Sequence, residues 1–251
     1  MTLFDLSGRF AIVTGANTGI GRAIAVGLAR AGADIVGVGR SPMGETEADV
    51  TACGQKFIAV TADLSAPGIG DKVIAEALDA GASLDILVNN AGIIRRADAL
   101  EFTEADWDAV LDTNLKSVFF LCQAFAKAAI AAGRPAKIIN IASLLSFQGG
   151  IRVPSYTAAK SGLAGLTKLL ANEWAARGVN VNAIAPGYVE TNNTVALRAD
   201  AERNADILKR IPAGRWARPD DMVGAAVFLA APASDYVHGT ILPVDGGWLA
   251  R

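Results

Sequence analysis

A short apolar run, Arg9-Phe-Ala-Ile-Val13, leads into Thr14-Gly-Ala-Asn-Thr-Gly-Ile-Gly21, and that into Arg22-Ala-Ile-Ala-Val-Gly-Leu-Ala-Arg-Ala-Gly32. The first segment reads as a buried strand and the last as a helix that stops at glycine. The glycines between them let the backbone turn sharply and bring its amides close to a ligand. A pyrophosphate is the ligand that a positive helix N-terminus favours. The spacing is G-x-x-x-G-x-G, not the G-x-G-x-x-G of the standard dinucleotide turn. Alone, the turn is equally compatible with a tight connection that binds nothing. What it does constrain is architecture, because strand, glycine turn and helix form the first half of a βαβ unit.

The alternation continues along the chain. Predicted strands are Phe10–Thr14, Asp34–Gly39, Lys56–Thr61, Ile86–Asn89, Lys137–Ile141, Asn180–Ile184 and Ile241–Val244. Predicted helices are Gly21–Ala31, Gly70–Ala80, Glu104–Ala131, Tyr156–Arg177 and Pro219–Ala230. The strands are Val/Ile-rich without apolar–polar alternation, as strands covered on both faces are. Right-handed crossovers then give an α/β fold: a single Rossmann-type, doubly wound parallel sheet of about seven strands, with helices on both faces. The length of 251 residues suits one such domain, residues 1–251. The segment Gly187–Trp216 is long, polar and poorly periodic, and follows a predicted strand end. It reads as a substrate lid near residues 187–216, with a short helix near Ala199–Arg210.

Composition excludes several classes. With 52% apolar and 19% charged residues the chain can bury a large core, and a net charge of −2 offers no nucleic-acid footprint. Cys53 and Cys122 make neither a disulfide framework nor a zinc motif, and no metal site is expected. Cys122 lies in an apolar helix and reads as core, and the single histidine, His238, reads as structural. No apolar stretch is long enough for a membrane span and no signal peptide is legible, so the default expectation is a cytoplasmic protein without a membrane partner.

The chemistry sits at Tyr156-Thr-Ala-Ala-Lys160, with Ser143 thirteen residues upstream. Residues four apart on a helix share a face. A Tyr hydroxyl titrates near ~10, and a neighbouring ammonium favours the phenolate and lowers that value. A Ser hydroxyl beside the pair can hold a substrate oxygen. Asn114 falls on or beside the apolar face of its helix, where a buried amide needs partners. Each of these residues alone reads as an ordinary surface, cap or core group.

Taken in order, T-G-x-x-x-G-I-G at Thr14–Gly21, Asp63-Leu64, Asn89-Asn-Ala-Gly92, Asn114, Ser143, Tyr156-x-x-x-Lys160 and Pro186-Gly187 resemble the short-chain dehydrogenase/reductase family over nearly the whole chain. The resemblance implies one dinucleotide-binding catalytic domain with Asn114, Ser143, Tyr156 and Lys160 as catalytic tetrad. It implies cofactor contacts from Gly15, Asn17, Thr18, Gly19, Ile20, Gly21, Arg40, Asp63, Leu64, Asn90, Ala91, Gly92, Pro186, Gly187, Val189 and Thr191, besides Tyr156 and Lys160. Tyr156 would act as general acid in reduction and base in oxidation.

Further stretches, among them Ile93-Ile-Arg-Arg-Ala-Asp-Ala-Leu100 and Val244-Asp-Gly-Gly-Trp-Leu-Ala-Arg251, are similar to one branch of that family. That branch acts on small deoxy sugar acids, of the 2-deoxy-D-gluconate or 2-keto-3-deoxy-D-gluconate type, in uronate and pectin breakdown. The branch leans to NAD. The second strand ends in Gly39-Arg40 without the acid that binds a ribose 2′-hydroxyl, which leans to NADP. For the substrate carboxylate, Arg95, Arg96 and Arg152 lie beyond predicted strand ends, and Arg152 is favoured for its closeness in sequence to Tyr156. Gln148, Asn192 and Asn193 could read hydroxyls, with Ser143 and Tyr156 at the reacting oxygen. Helices Trp107–Ala131 and Ala158–Ala176 are apolar around much of their circumference, which suggests pairing between subunits, and the resemblance implies a homotetramer. The alternatives are a ketoreductase of another substrate class (3-oxoacyl or polyol) and a non-catalytic, cofactor-binding regulator.

Overall fold

Burial on both faces dictates the layering. In the computed structural model, which describes residues 3–250, the strands are β1 (Phe10–Thr14), β2 (Asp34–Gly39), β3 (Phe57–Thr61), β4 (Ile86–Asn89), β5 (Ala136–Ile141), β6 (Val179–Pro186) and β7 (Ile241–Val244). They form one sheet in the order β3-β2-β1-β4-β5-β6-β7, every neighbouring pair parallel. Successive side chains of a strand leave on opposite faces. Ile12, Val36, Leu87 and Ile138 accordingly enter one apolar layer, while Ala11, Val13, Ile35, Ile86, Val88 and Ile139 enter the other. At about 1.5–3 kcal/mol for each large side chain buried, neither face can be left to water.

The helices that cover the sheet are α1 (Gly19–Arg30), α2 (Gly44–Ala52), α3 (Ile69–Asp79), α4 (Glu104–Leu111), α5 (Ser117–Ala131), α6 (Pro154–Trp174), α7 (Val195–Ala199), α8 (Ala201–Arg210) and α9 (Val223–Ala230). α3, α5 and α6 supply the first layer with Val73, Phe125, Leu163 and Leu170. α1 and α9 supply the second with Ile24, Leu28, Ala226 and Leu229. α2 was not expected from sequence: it buries only Thr46 and Val50 and carries almost no apolar periodicity. Pro154 sits in the first turn of α6, where its missing N–H has no intrahelical partner to lose.

The expected single helix Glu104–Ala131 is three pieces. α4 and α5 are joined by a π turn, Asp112–Lys116, which inserts one extra residue without ending the helix. Its apolar pattern continues on both sides, which is why the sequence reads as one helix. Trp107, Phe120 and Leu169, on α4, α5 and α6, stay 39%, 50% and 45% exposed, the outer apolar stripe read from the sequence.

Connections leave β1 and β4 toward opposite flanks, so the carboxyl ends of these neighbours part into a crevice. Thr14 ties its two rims. Its Oγ1 accepts from the backbone N–H of Asn90 (2.9 Å) and of Ala91 (3.0 Å), and its carbonyl accepts from Asn90 Nδ2 (2.9 Å). At the opposite end of the sheet, His238 contacts Asn180 at 3.2 Å, outside the crevice, in keeping with a structural histidine. Cys122 is fully buried, and burial pushes its thiol up to about 12. No helix among the described residues is long and apolar enough to cross a membrane.

Gly27 of α1 tests the packing. A Cβ there would overlap the Val223 side chain of α9. Alanine's better helix propensity, about 1 kcal/mol, opposes an overpacking cost of about 1–3 kcal/mol. Gly27→Ala is expected to lower unfolding free energy by about 1 kcal/mol in urea titration, and equal or greater stability would contradict the tight α1–α9 contact.

Candidate active site

The crevice above the strand ends is a cleft of about 1580 Å³. One side is built by the glycine turn. Gly15 and Gly19 have φ of +66° and +55°, and a Cβ at Gly15 would come within 2.8 Å of Asn90 Nδ2. Thr18 caps α1 without a side-chain hydrogen bond, and the first turn carries no acidic residue. The leading amides of α1 are thus left for an anion at the cleft wall. Gly15, Asn17, Thr18, Gly19 and Ile20 line this side, continued by Arg40, Asp63, Leu64, Asn90, Ala91 and Gly92. Pro186, Gly187, Val189 and Thr191 close it from β6 and the segment beyond. A nicotinamide dinucleotide fits this donor set: amides for pyrophosphate, an apolar floor at Leu64 and a polar rim at Asp63. Asp63 accepts from the Ser65 amide and hydroxyl, which hold its carboxyl below the usual range.

Gly21 departs from the expected contact set. It does not line the cleft but packs beneath it, where a Cβ would overlap the carbonyl of Gly15 and the amide of Asn90. Asn114 does not line the cleft either. It is fully buried in the π turn, where Oδ1 accepts from Ile93 N–H (2.9 Å) and Nδ2 donates to Ile93 O (2.8 Å). Both ends of its amide therefore clamp the loop after β4. These are the partners that a buried amide needs.

The other expected tetrad members converge. Ser143 follows β5, and its Oγ accepts from Leu145 N–H at 3.2 Å, which leaves the hydroxyl proton for another acceptor. Tyr156 is one turn from Lys160 on α6, with the Lys160 Nζ 5.6 Å from its ring centre. Lys160 is 5% exposed and donates to the Ile141 carbonyl at 2.6 Å. Burial lowers its pKa to about 8. Tyr156 contradicts the expected lowering by Lys160: burial pushes its hydroxyl up, against a hydrogen bond with Ser143 and the charge of Arg96. The proton accordingly stays on Tyr156, which suits it to donate to a carbonyl oxygen.

The cleft is also lined by Arg95, Arg96, Gln148, Asn192 and Asn193, with Arg203 and Arg210 from α8. Arg95 pairs with Asp106 (3.1 Å), and Arg96 donates to the Asn193 carbonyl (2.9 Å). Arg152, the favoured carboxylate partner, is exposed and does not line the cleft. The helix begins at Pro154, so four residues before Tyr156 is not one turn below it. Arg152 instead sits in a left-handed turn at φ +61°, its carbonyl accepting from Ala97 N–H at 3.2 Å. Segment 187–216, expected to be a lid, carries α7 and α8, and its Ile207, Ile211 and Trp216 pack with Leu144 and Trp248. The role of Trp248 was not legible, because a terminal tryptophan carries no periodic signal. Among the described residues no group of acids, histidines or cysteines could hold a metal.

A profile described as enoyl-(acyl carrier protein) reductase matches residues 15–249. The chain is 59% identical over 255 residues to the 2-dehydro-3-deoxy-D-gluconate 5-dehydrogenase of Escherichia coli, with 100% of this chain and 99% of the relative covered. Its counterpart from Dickeya dadantii is 57% identical over 251 residues, with coverage of 100% and 99%. A crystal structure from Agrobacterium tumefaciens with bound NADP, assigned as a 2-deoxy-D-gluconate 3-dehydrogenase, is 63% identical, superposes with a TM-score of 0.94 and is matched over 100% of both chains.

Lys160 makes the electrostatics measurable. Its folded pKa lies below the unfolded one, so the penalty of the charge is full below pH about 8 and is relieved as pH rises toward 10.5. The stability of Lys160→Met relative to the parent protein is expected to fall by about 2 kcal/mol between pH 7 and 9.5. A difference independent of pH would show that Lys160 does not titrate low.

Proposed function

The chain belongs to the short-chain dehydrogenase/reductase family, and from that footing we propose a nicotinamide-dependent dehydrogenase of a small deoxy sugar acid, of the 2-deoxy-D-gluconate or 2-keto-3-deoxy-D-gluconate type. The reaction interconverts a keto and a hydroxy group, in the breakdown of uronates and pectin. The observation that carries this reading is one cleft holding Ser143, Tyr156 and Lys160 beside a cluster of arginines that includes Arg96. The names of the relatives supply the sugar acid.

The bound cofactor supplies or accepts the hydride. Ser143 donates its hydroxyl hydrogen to the substrate oxygen. Tyr156 gives its proton to that oxygen in reduction and takes it back in oxidation. Lys160 has one of three N–H groups fixed on the Ile141 carbonyl, which aims the ammonium and leaves two donors for the ribose hydroxyls and Tyr156. Asn114 acts at one remove, holding Ile93 and so the cofactor-lining loop Asn90–Gly92. Arg96 takes the carboxylate role first given to Arg152, because it lines the cleft and its charge reaches Tyr156.

The cofactor is NAD or NADP, and we favour NADP. β2 ends in Gly39 with no acid to repel a 2′-phosphate, and Arg40 lines the same wall. The outer stripe of Trp107, Phe120 and Leu169 supports helix pairing into a homotetramer. The cytoplasm, where nicotinamide cofactors are kept, is the compartment of this reading.

Initial rates with 2-deoxy-D-gluconate and with 2-keto-3-deoxy-D-gluconate, each with the appropriate redox form of both cofactors, test the assignment. Turnover of neither by folded, cofactor-binding protein would overturn the substrate. Tyr156→Phe should lower kcat by about 10²–10⁴-fold with an unchanged melting temperature. A Cβ at Gly39 meets nothing closer than 3.7 Å, so Gly39→Asp should fold. It should shift preference from NADP to NAD by about tenfold or more.

A further inference from the structure

Gln148 and Trp248 are a hundred residues apart in sequence and meet at the cleft wall. The indole Nε1–H of Trp248 donates to Gln148 Oε1 at 3.2 Å, and Arg210 Nη2 approaches the same oxygen at 3.4 Å. An indole N–H and a guanidinium are donors only. The oxygen of Gln148 must therefore face them, and the amide cannot turn over without setting N–H against N–H. Its Nε2 has no hydrogen-bond partner among the described residues. Both residues line the cleft that holds Ser143 and Tyr156.

Trp248 is itself well fixed. It is 4% exposed, its ring lies against Tyr188 at 4.8 Å between centroids, and the Arg210 guanidinium sits 4.0 Å from its ring centre. We infer that Trp248 is a positioning residue for substrate specificity: it holds the Gln148 carboxamide so that only its NH₂ is offered to the substrate. Gln148 then reads an acceptor, a carboxylate or carbonyl oxygen, and cannot accept from a hydroxyl. This rests on the sugar-acid reading for the identity of the acceptor, but not for the hydrogen bond itself.

Trp248→Phe removes the donor and keeps a ring for Tyr188 and Arg210. It should raise KM for the sugar acid about five- to tenfold, the size of one hydrogen bond, with kcat within about twofold and KM for NADP unchanged. Gln148→Glu keeps the acceptor for Trp248 and loses the NH₂. It should raise KM at least as much, and adding Trp248→Phe to it should raise KM no further. An unchanged KM in Trp248→Phe, or effects that multiply in the double variant, would overturn the inference. The indole N–H resonance of Trp248, assigned by its loss in Trp248→Phe, should move upfield in Gln148→Ala, and an unmoved resonance would also overturn it. If the wild-type protein turned over no sugar acid, the substrate reading would fall. The indole signal, and the KM of Trp248→Phe for whichever ketone or alcohol is accepted, would still decide the positioning role.

Discussion

Thr14 ends β1 with a hydroxyl whose oxygen receives two amide hydrogens from the loop that follows the neighbouring strand, β4. Those amides, of Asn90 and Ala91, belong to the loop that lines the cleft, and the Thr14 carbonyl holds the Asn90 side chain as well. At this point the sheet changes direction and a parallel ladder can no longer satisfy its own backbone groups. The rim would otherwise expose unpaired donors, and the cleft would lose its shape. From the same junction the glycine turn approaches the Asn90 side chain, and Asn114 clamps the loop one residue past Gly92. Below it, Asn89 Nδ2 donates to Asn140, whose own amide donates to Thr167 on α6 (2.9 and 3.0 Å). The helix carrying Tyr156 and Lys160 is thus tied to the sheet by buried polar contacts, which are stronger in a low-dielectric interior.

The site draws its chemistry from burial more than from neighbouring charge. Lys160 is held on one carbonyl in the interior and its charge is disfavoured, while the Tyr156 proton is retained. The two shifts have the same physical source, the removal of water from both groups. A tyrosine that keeps its proton is a competent donor to a ketone, and the ammonium beside it is lowered to about 8. Ser143 and Arg96 are the groups that pull Tyr156 the other way, and both line the cleft.

The strands were legible because their burial on both faces writes itself as unbroken Val/Ile runs, and the helices because one face repeats every third or fourth residue. α2 escaped since Thr46 and Val50 are all it buries. The π turn escaped since an extra residue leaves the composition of a helix unchanged. At the site, the residues held by the glycine turn and by the spacing of Tyr156 and Lys160 were readable as a set. Arg152 misled because distance along the chain was taken for distance in space, and the helix starts only at Pro154. Trp248 and Arg210 were silent, since their contacts join the segment after β7 and the end of α8 to a loop after β5. The sign of the Tyr156 shift was also out of reach, because sequence reports a neighbouring cation but not how much water the fold removes.

The π turn between α4 and α5 makes length itself a constraint. Each residue of an α-helix advances the face by about 100°. Deleting one polar residue from Asp112–Lys116 would restore regular winding and keep every apolar side chain. It would also turn one half of the rod against the other, so that Val110 or Leu121 and Phe125 would have to leave the interior. The exposed surface of this continuous rod can change in composition without moving either half, whereas a change in residue count turns one half against the other.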